Sequence, residues 1–277
     1  MTDNYAVIGH PVAHSKSPQI HTHFAAQTGE DLCYTAILAP LDGFAATVRD
    51  FSASGGCGLN VTVPFKEEAF RLATRLSPRA QAAGAVNTLR FSGNEIFGDN
   101  TDGAGLVCDI EKNLDRALAG RRILLLGAGG AARGVILPLL LGNPARLVIA
   151  NRTTQKAILL AAEFSRLPGR ALALRPEGCG FADLSVESNV FDIIINATSA
   201  GLQGISLDIP DGLYAAGALA YEMVYGRETS FMTQARRAGM QVADGLGMLV
   251  EQAAEAFLLW RGVRPETAPI LQELRGA

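Results

Sequence analysis

A lysine, an aspartate and a pair of serines carry the chemistry this sequence offers. Lys66 closes the stretch Asn60-Val-Thr62-Val-Pro64-Phe-Lys66, in which polar and apolar residues alternate before a proline. Pro64 reads as the start of a helix, so Lys66 falls in its first turn. That is the unfavourable end of a helix for a cation. A lysine there is either an exposed accident or a group kept for proton transfer. Asp102 lies in Asn100-Thr101-Asp102-Gly103, short polar residues next to a glycine and ahead of the helical Leu106–Ile110. It either caps that helix or serves a functional loop. Ser15 and Ser17 flank Lys16 just before Pro18. Ser17 reads as an N-cap, and two hydroxyls at a helix start suit a small carboxylate. Asn87, in Gly84-Ala-Val-Asn87-Thr88, offers a donor and an acceptor at the beginning of a strand. The 4 histidines, His10, His14, His21 and His23, all fall in one N-terminal segment. Their spacing matches no familiar ligand pattern, and no metal is expected.

A second group of residues points to a nucleotide. The run Arg122-Ile-Leu-Leu-Leu stops at Gly127-Ala-Gly129-Gly130-Ala-Ala132, and a helical Val135–Leu141 follows. Strand, glycine turn and helix give Gly127-x-Gly129-x-x-Ala132 its meaning. Gly127 permits the sharp turn, Gly129 lets a pyrophosphate approach bare backbone, and Ala132 lets helix and strand pack closely. The next strand, Arg146–Ala150, ends in Asn151-Arg152-Thr153-Thr154-Gln155-Lys156. An acid there would take the ribose 2′-hydroxyl of NAD. Arg152 stands there instead, with Lys156 four residues on, and a guanidinium suits a 2′-phosphate. The cofactor is therefore read as NADP. Phe191–Asn196 is a clean buried strand, and Thr198 and Ser199 lie just past its end, where ligands of doubly wound sheets bind.

The whole chain sets the bounds. At 277 residues two domains are the natural expectation, and 48% hydrophobic content gives ample core. A net charge of −3 argues against a nucleic-acid partner or an anionic membrane surface. No apolar run reaches transmembrane length, and the N-terminus does not read as a signal peptide. The 4 cysteines are scattered with no C-x-x-C pair, which suits a reducing, cytoplasmic setting. Strands are expected at Asn4–Ile8, Leu32–Leu38, Gly58–Pro64, near Ala82–Arg90 and near Ala171–Leu174, with Gly178–Asn189 left unassigned. Strands alternate with helices from 120 to 243, which means a parallel sheet. After Leu219–Tyr225 and Gln241–Ala243, Asp244-Gly245-Leu-Gly247-Met248 opens an apolar helix, Leu249–Trp260.

His14-Ser15-Lys16-Ser17-Pro18, Asn60 to Lys66, Gly84 to Thr88, Asn100 to Gly103, Gly127 to Ala131, Asn151-Arg152-Thr153, Asn196-Ala-Thr-Ser-Ala-Gly201 and Asp244 to Met248 occur in that order. Together they resemble the shikimate dehydrogenase family, over residues 5 to 261. The resemblance implies an α/β protein of two domains, a Rossmann-type doubly wound NADP domain and an α/β substrate domain with a cleft between them. The implied boundaries are 1–103 for the substrate domain, 104–243 for the NADP domain, and 244–277 for a helical segment returning to the first. It implies reversible, NADPH-dependent reduction of 3-dehydroshikimate to shikimate, a small-molecule substrate with no nucleic acid and no membrane. A homodimer is compatible but not specified. Lys66 and Asp102 are implied as the catalytic pair. The implied substrate residues are Ser15, Ser17, Thr62, Lys66, Asn87, Asp102, Tyr225 and Gln252. Gly127, Ala128, Gly129, Gly130, Ala131, Asn151, Arg152, Thr153, Lys156, Thr198, Ser199, Met223, Gly245 and Met248 are implied to line NADP. Lys156 stands where many relatives have Arg, and Glu222 where Asp is common. A quinate/shikimate dehydrogenase using NAD is the near rival, and Arg152 argues against it. Ser15, Ser17 and Asp102 fit a methylenetetrahydrofolate dehydrogenase-like protein poorly. A non-catalytic NADP-binding module would have no use for Lys66 and Asp102.

Overall fold

The computed structural model describes residues 2–167, 174–185, 190–200, 207, 210 and 212–276. They form two compact units, one of 1–105 with 249–277 and one of 106–248.

The first unit begins β1 (Asp3–Gly9), α1 (Ser17–Thr28), β2 (Leu32–Leu38), α2 (Phe44–Ala53) and β3 (Gly56–Val61). It continues α3 (Lys66–Leu72), β4 (Arg75–Leu76), α4 (Pro78–Ala83), β5 (Thr88–Ser92), β6 (Glu95–Asp99) and α5 (Asp102–Cys108). Its sheet runs β2-β1-β3-β5-β6-β4. β1 pairs in parallel with β2 and β3, whereas β5 is antiparallel to both its neighbours. The β5–β6 hairpin turns through Gly93 at φ +56°, a conformation glycine adopts without strain. Side chains of β1 alternate between faces, as the pleat requires. Ala6 and Ile8 join Phe44, Leu59, Phe65 and Leu89 in one core, while Tyr5 and Val7 pack with Tyr34 on the other side.

The second unit contains β7 (Arg122–Leu126), α6 (Gly130–Leu141), β8 (Arg146–Asn151), α7 (Thr154–Phe164), β9 (Glu177–Gly180) and β10 (Phe191–Asn196). β11 (Tyr214–Glu222), α8 (Ser230–Arg237) and β12 (Gln241–Asp244) complete it. The chain ends in α9 (Leu246–Arg261) and α10 (Ala268–Gly276). The second sheet runs β12-β11-β10-β7-β8-β9 and is parallel throughout. In chain order this is 6-5-4-1-2-3, the doubly wound arrangement, with the winding reversing between β7 and β10. Both faces of such a sheet are covered, so its strands are unbroken apolar runs: Ile123–Leu126, Leu147–Ala150 and Ile193–Ile195 are buried.

Several expectations are corrected. Ser17 is not the N-cap of α1. Lys16 occupies that position without a side-chain cap, and Ser17 is the first helical residue. Pro64 precedes α3 without entering it, since Phe65 is the N-cap and Lys66 the first helical residue. Asn100–Gly103 is not a loop throughout, since Asp102 and Gly103 already belong to α5. α6 begins at Gly130 and not at Val135, and β11 covers Tyr214–Glu222 and not Leu219–Tyr225. Glu177–Gly180 is an edge strand beside β8 and overlaps the start of the stretch left unassigned. Of the strand expected near Ala171–Leu174, residues 171–173 lie outside the described residues, as does Gly201 of the glycine-ended motif after β10.

Candidate active site

In the first unit the ends of β3, β5 and β6 and the starts of α3 and α5 bring a set of polar side chains together. Lys66 opens α3 and Asp102 opens α5. Lys66 Nζ donates to Asp102 Oδ2 at 2.6 Å, so the cation at an unfavourable helix end meets a carboxylate at a favourable one. Asp102 Oδ1 accepts from Asn87 Nδ2 at 2.8 Å. Asn87 is held in turn by the backbone N–H of Thr101, which donates to its Oδ1 at 2.8 Å. Gln252 of α9 places its Oε1 3.4 Å from Asn87 Nδ2 and from Thr101 Oγ1. Lys66, Asp102, Asn87 and Gln252 thus form one cluster.

Ser15 and Ser17 form a second focus. Ser15 Oγ accepts the Ser17 N–H at 3.2 Å at the head of α1. Ser17 is buried. Thr62 follows β3, fixed by its N–H on the Ile8 carbonyl at 3.0 Å. Tyr225 belongs to the second unit and is half-buried there.

In the second unit the remaining expected residues lie past the carboxyl ends of parallel strands. Gly127 follows β7 at φ +111°, where an added Cβ would stand 3.1 Å from the Ala197 carbonyl. The fold itself makes no demand for glycine at 129 and 130, because a Cβ there would meet no atom within 4 Å. Their bare backbone opens α6, whose first-turn N–H groups have no intrahelical partner. Ala128 and Ala131 belong to the same turn. Asn151 Nδ2 donates to the Thr153 carbonyl at 3.0 Å, shaping the loop that presents Arg152 to solvent, and Lys156 is exposed in the first turn of α7. Neither cation pairs with a carboxylate among the described residues. Open glycine backbone at a helix N-terminus suits a pyrophosphate and the two free cations suit a 2′-phosphate, so the residues present fit NADP.

Past β10, Thr198 Oγ1 donates to Asn196 Oδ1 at 2.7 Å, and Ser199 beside it is exposed. Past β11, the Met223 N–H donates to the Asn196 carbonyl at 3.0 Å. Past β12, Gly245 lies so close to the Met223 carbonyl that a Cβ would overlap it. Met248 is buried in the first turn of α9.

Sequence reasoning missed the buried polar residues beneath these sites. Asn60 and Thr88 lie on β3 and β5, and Tyr34 and His21 adjoin them, with Asn60 Oδ1 accepting from the Tyr34 hydroxyl at 2.7 Å. In the second unit Glu222 is fully buried and accepts from Asn196 Nδ2 at 2.7 Å, Thr229 Oγ1 at 2.8 Å and the Val224 N–H at 3.2 Å. Burial raises its carboxyl above the ordinary value, partly offset by these donors. The available signal was a polar residue inside an apolar strand, such as Asn60 between Leu59 and Val61. Among the described residues no cluster of His, Cys, Asp and Glu could hold a metal ion.

Three family profiles match the chain. They are the shikimate dehydrogenase substrate binding domain at residues 7–89, shikimate / quinate 5-dehydrogenase at 109–206, and the shikimate 5′-dehydrogenase C-terminal domain at 245–275. The chain is 61% identical over 278 residues to the shikimate dehydrogenase (NADP(+)) of Dechloromonas aromatica, covering 99% of this chain and 98% of that one. The crystal structure of an Ael1 enzyme from Pseudomonas putida superposes with TM-score 0.91 at 47% identity, covering 99% of this chain and 98% of that one. The shikimate 5-dehydrogenase of Thermus thermophilus, crystallised with NADP(H) and shikimate, superposes with TM-score 0.84 at 33% identity over 99% of both chains.

Proposed function

The chain belongs to the shikimate dehydrogenase family, and from that premise we propose how its residues divide the work. It is an NADP-dependent oxidoreductase acting on a CH–OH group, interconverting shikimate and 3-dehydroshikimate in the shikimate pathway. When bound, NADP accepts a hydride from the carbinol carbon of shikimate, and NADPH returns it to the ketone.

Lys66 takes the proton of the reacting hydroxyl during oxidation and gives it back to the forming alkoxide during reduction. Asp102 orients that hydroxyl and the ammonium together. The single observation that carries this reading is the 2.6 Å contact between Lys66 Nζ and Asp102 Oδ2, with Asn87 fixing the other carboxylate oxygen. Ser15 and Ser17 hold the substrate carboxylate, Thr62, Asn87 and Gln252 take ring hydroxyls, and Tyr225 is a further substrate residue. Gly127 to Ala131 cradle the pyrophosphate, and Arg152 and Lys156 with Asn151 and Thr153 take the 2′-phosphate. Thr198, Ser199, Met223, Gly245 and Met248 line the rest of the cofactor. The enzyme works in the cytoplasm, which suits its 4 free cysteines.

The test mixes the protein with NADP and shikimate and follows NADPH absorbance, for wild type and Lys66→Ala. Wild type is expected to reduce NADP. The variant should lose about 10²–10⁴-fold in kcat, the usual size of acid–base assistance, with a much smaller change in shikimate KM. A folded Lys66→Ala protein with wild-type kcat removes Lys66 from the chemistry.

A further inference from the structure

His21 is a buried imidazole with no evident structural reason to be one. It stands on α1, 1% exposed, stacked on Tyr34 at 4.2 Å between ring centres and leaning on Trp260 at 5.3 Å. Burial holds its pKa down at about 3, so it is neutral and carries a single N–H. Asn60 settles which nitrogen bears it. Asn60 Nδ2 faces the Asn87 backbone carbonyl at 3.3 Å, which can only accept. Its Oδ1 therefore faces the Tyr34 hydroxyl at 2.7 Å and His21 Nε2 at 3.1 Å. An amide oxygen only accepts, so His21 donates from Nε2. Nδ1 is then a bare acceptor, buried without a partner. An apolar ring would fill this aromatic pocket without that cost, so packing alone does not explain the imidazole.

The donation continues residue by residue toward the reacting groups. With its oxygen occupied, Asn60 donates from Nδ2 to Thr88 Oγ1 at 3.2 Å. Thr88 Oγ1 donates to Asn87 Oδ1 at 2.9 Å. Asn87 Oδ1 also receives the Thr101 N–H, which turns Asn87 Nδ2 onto Asp102 Oδ1 at 2.8 Å. Asp102 Oδ2 is left facing Lys66. The Asn87 carbonyl orients Asn60 and the Thr101 N–H orients Asn87, so the donors run in one direction from His21 to Asp102.

We propose that His21 is a positioning residue for the dehydrogenase reaction: through Asn60, Thr88 and Asn87 its Nε2–H completes the donor chain that holds the Asp102 carboxylate opposite Lys66. This rests on the reading that Lys66 and Asp102 perform the proton chemistry. Two substitutions separate hydrogen bonding from packing. His21→Phe keeps an aromatic ring against Tyr34 and loses the donor. His21→Gln loses the ring and keeps an N–H donor.

Steady-state kinetics with NADP and shikimate should show kcat for His21→Phe reduced roughly tenfold to a hundredfold, the scale set by misplacing a catalytic group. Shikimate KM should move less, and NADP KM should not move. His21→Gln should retain most of the wild-type kcat. Thr88→Val, which interrupts the chain between Asn60 and Asn87, should reproduce the phenylalanine phenotype. It decides the matter if circular dichroism shows that His21→Phe does not fold. Wild-type kcat in His21→Phe with a loss in His21→Gln makes the role one of packing and overturns the proposal, as does wild-type kcat in Thr88→Val. Lys66→Ala runs alongside. If it stays active, the catalytic reading fails and this proposal with it; if it is inactive while His21→Phe and Thr88→Val are normal, only the proposal fails.

Discussion

At the scale of single residues, the site depends on one carboxylate serving two neighbours. Asp102 gives Oδ2 to Lys66 and Oδ1 to Asn87. The substitution Asp102→Asn replaces one acceptor with a donor, so either Lys66 or Asn87 meets a group of its own kind. It is expected to lower kcat while leaving NADP KM unchanged. On the proposed reading Lys66 and Asp102 act as a unit, so the Lys66→Ala/Asp102→Asn double variant should lose less than the product of the two single losses. Steady-state kinetics on the three variants checks this, and losses that multiply would mean the two groups act independently. Lys66 and Asp102 were legible as reactive types in unusual surroundings, but nothing in their spacing says that they touch. That contact is made where the first turns of α3 and α5 meet, and only the resemblance to a family joined them beforehand. The residues beneath them were illegible for another reason. A polar residue in an apolar strand marks Asn60 as unusual but does not say what it bonds, and its partners come from β2, α1 and β5.

At the scale of elements, runs of apolar β-branched and aliphatic residues made β7, β8 and β10 plain, because a parallel strand covered on both faces has no polar side to confuse the pattern. α4, only Pro78–Ala83, is too short to show a period, and the two-residue β4 has no pattern at all. The start of β11 was missed because Tyr214–Ala218 are mostly small residues broken by Gly217 at φ +71°, where the pairing with β10 skips. Glu222 joins the ends of β10 and β11 to the cap of α8, since Asn196, Val224 and Thr229 all donate to it. Its pH dependence follows from its burial. Its carboxyl lies above the ordinary 4.5, so folding favours the neutral form. Its contribution to stability is complete below the unfolded value and is lost as pH rises through the raised folded value. Glu222→Gln is uncharged throughout and lacks that dependence. The melting temperature of wild type relative to Glu222→Gln should therefore fall as pH rises from about 4.5 toward neutrality. Thermal melts across that range check it, and a relative stability that climbs with pH would contradict the assignment of burial as the dominant cause.

At the scale of the molecule, each unit carries its own ligand chemistry: hydroxyls, amides and an ion pair in the first, glycine backbone and free cations in the second. No helix among the described residues is long and apolar enough to cross a membrane. The division of labour is tested by amide hydrogen exchange read peptide by peptide. Shikimate alone should slow exchange around 15–20, 60–66, 87–102 and 249–253, where Ser15, Lys66, Asn87, Asp102 and Gln252 stand. NADP alone should slow it around 127–135, 150–156 and 196–200. Ligand that binds only the folded state stabilises by RT ln(1 + [L]/Kd), about 2.7 kcal/mol at a hundredfold excess over Kd, so the protection is large enough to read. Arg152→Asp separates the two sets. A carboxylate repels the 2′-phosphate that the guanidinium would hold, and a charge-assisted contact of this kind is worth roughly one to two decades in affinity. The variant should lose most of the NADP-dependent protection at a fixed cofactor concentration, gain none of comparable size from shikimate, and keep the shikimate-dependent protection intact. Full NADP protection in Arg152→Asp would take the 2′-phosphate away from that loop. Shikimate protection centred on 127–156 would mean that the glycine turn and its cations serve the substrate.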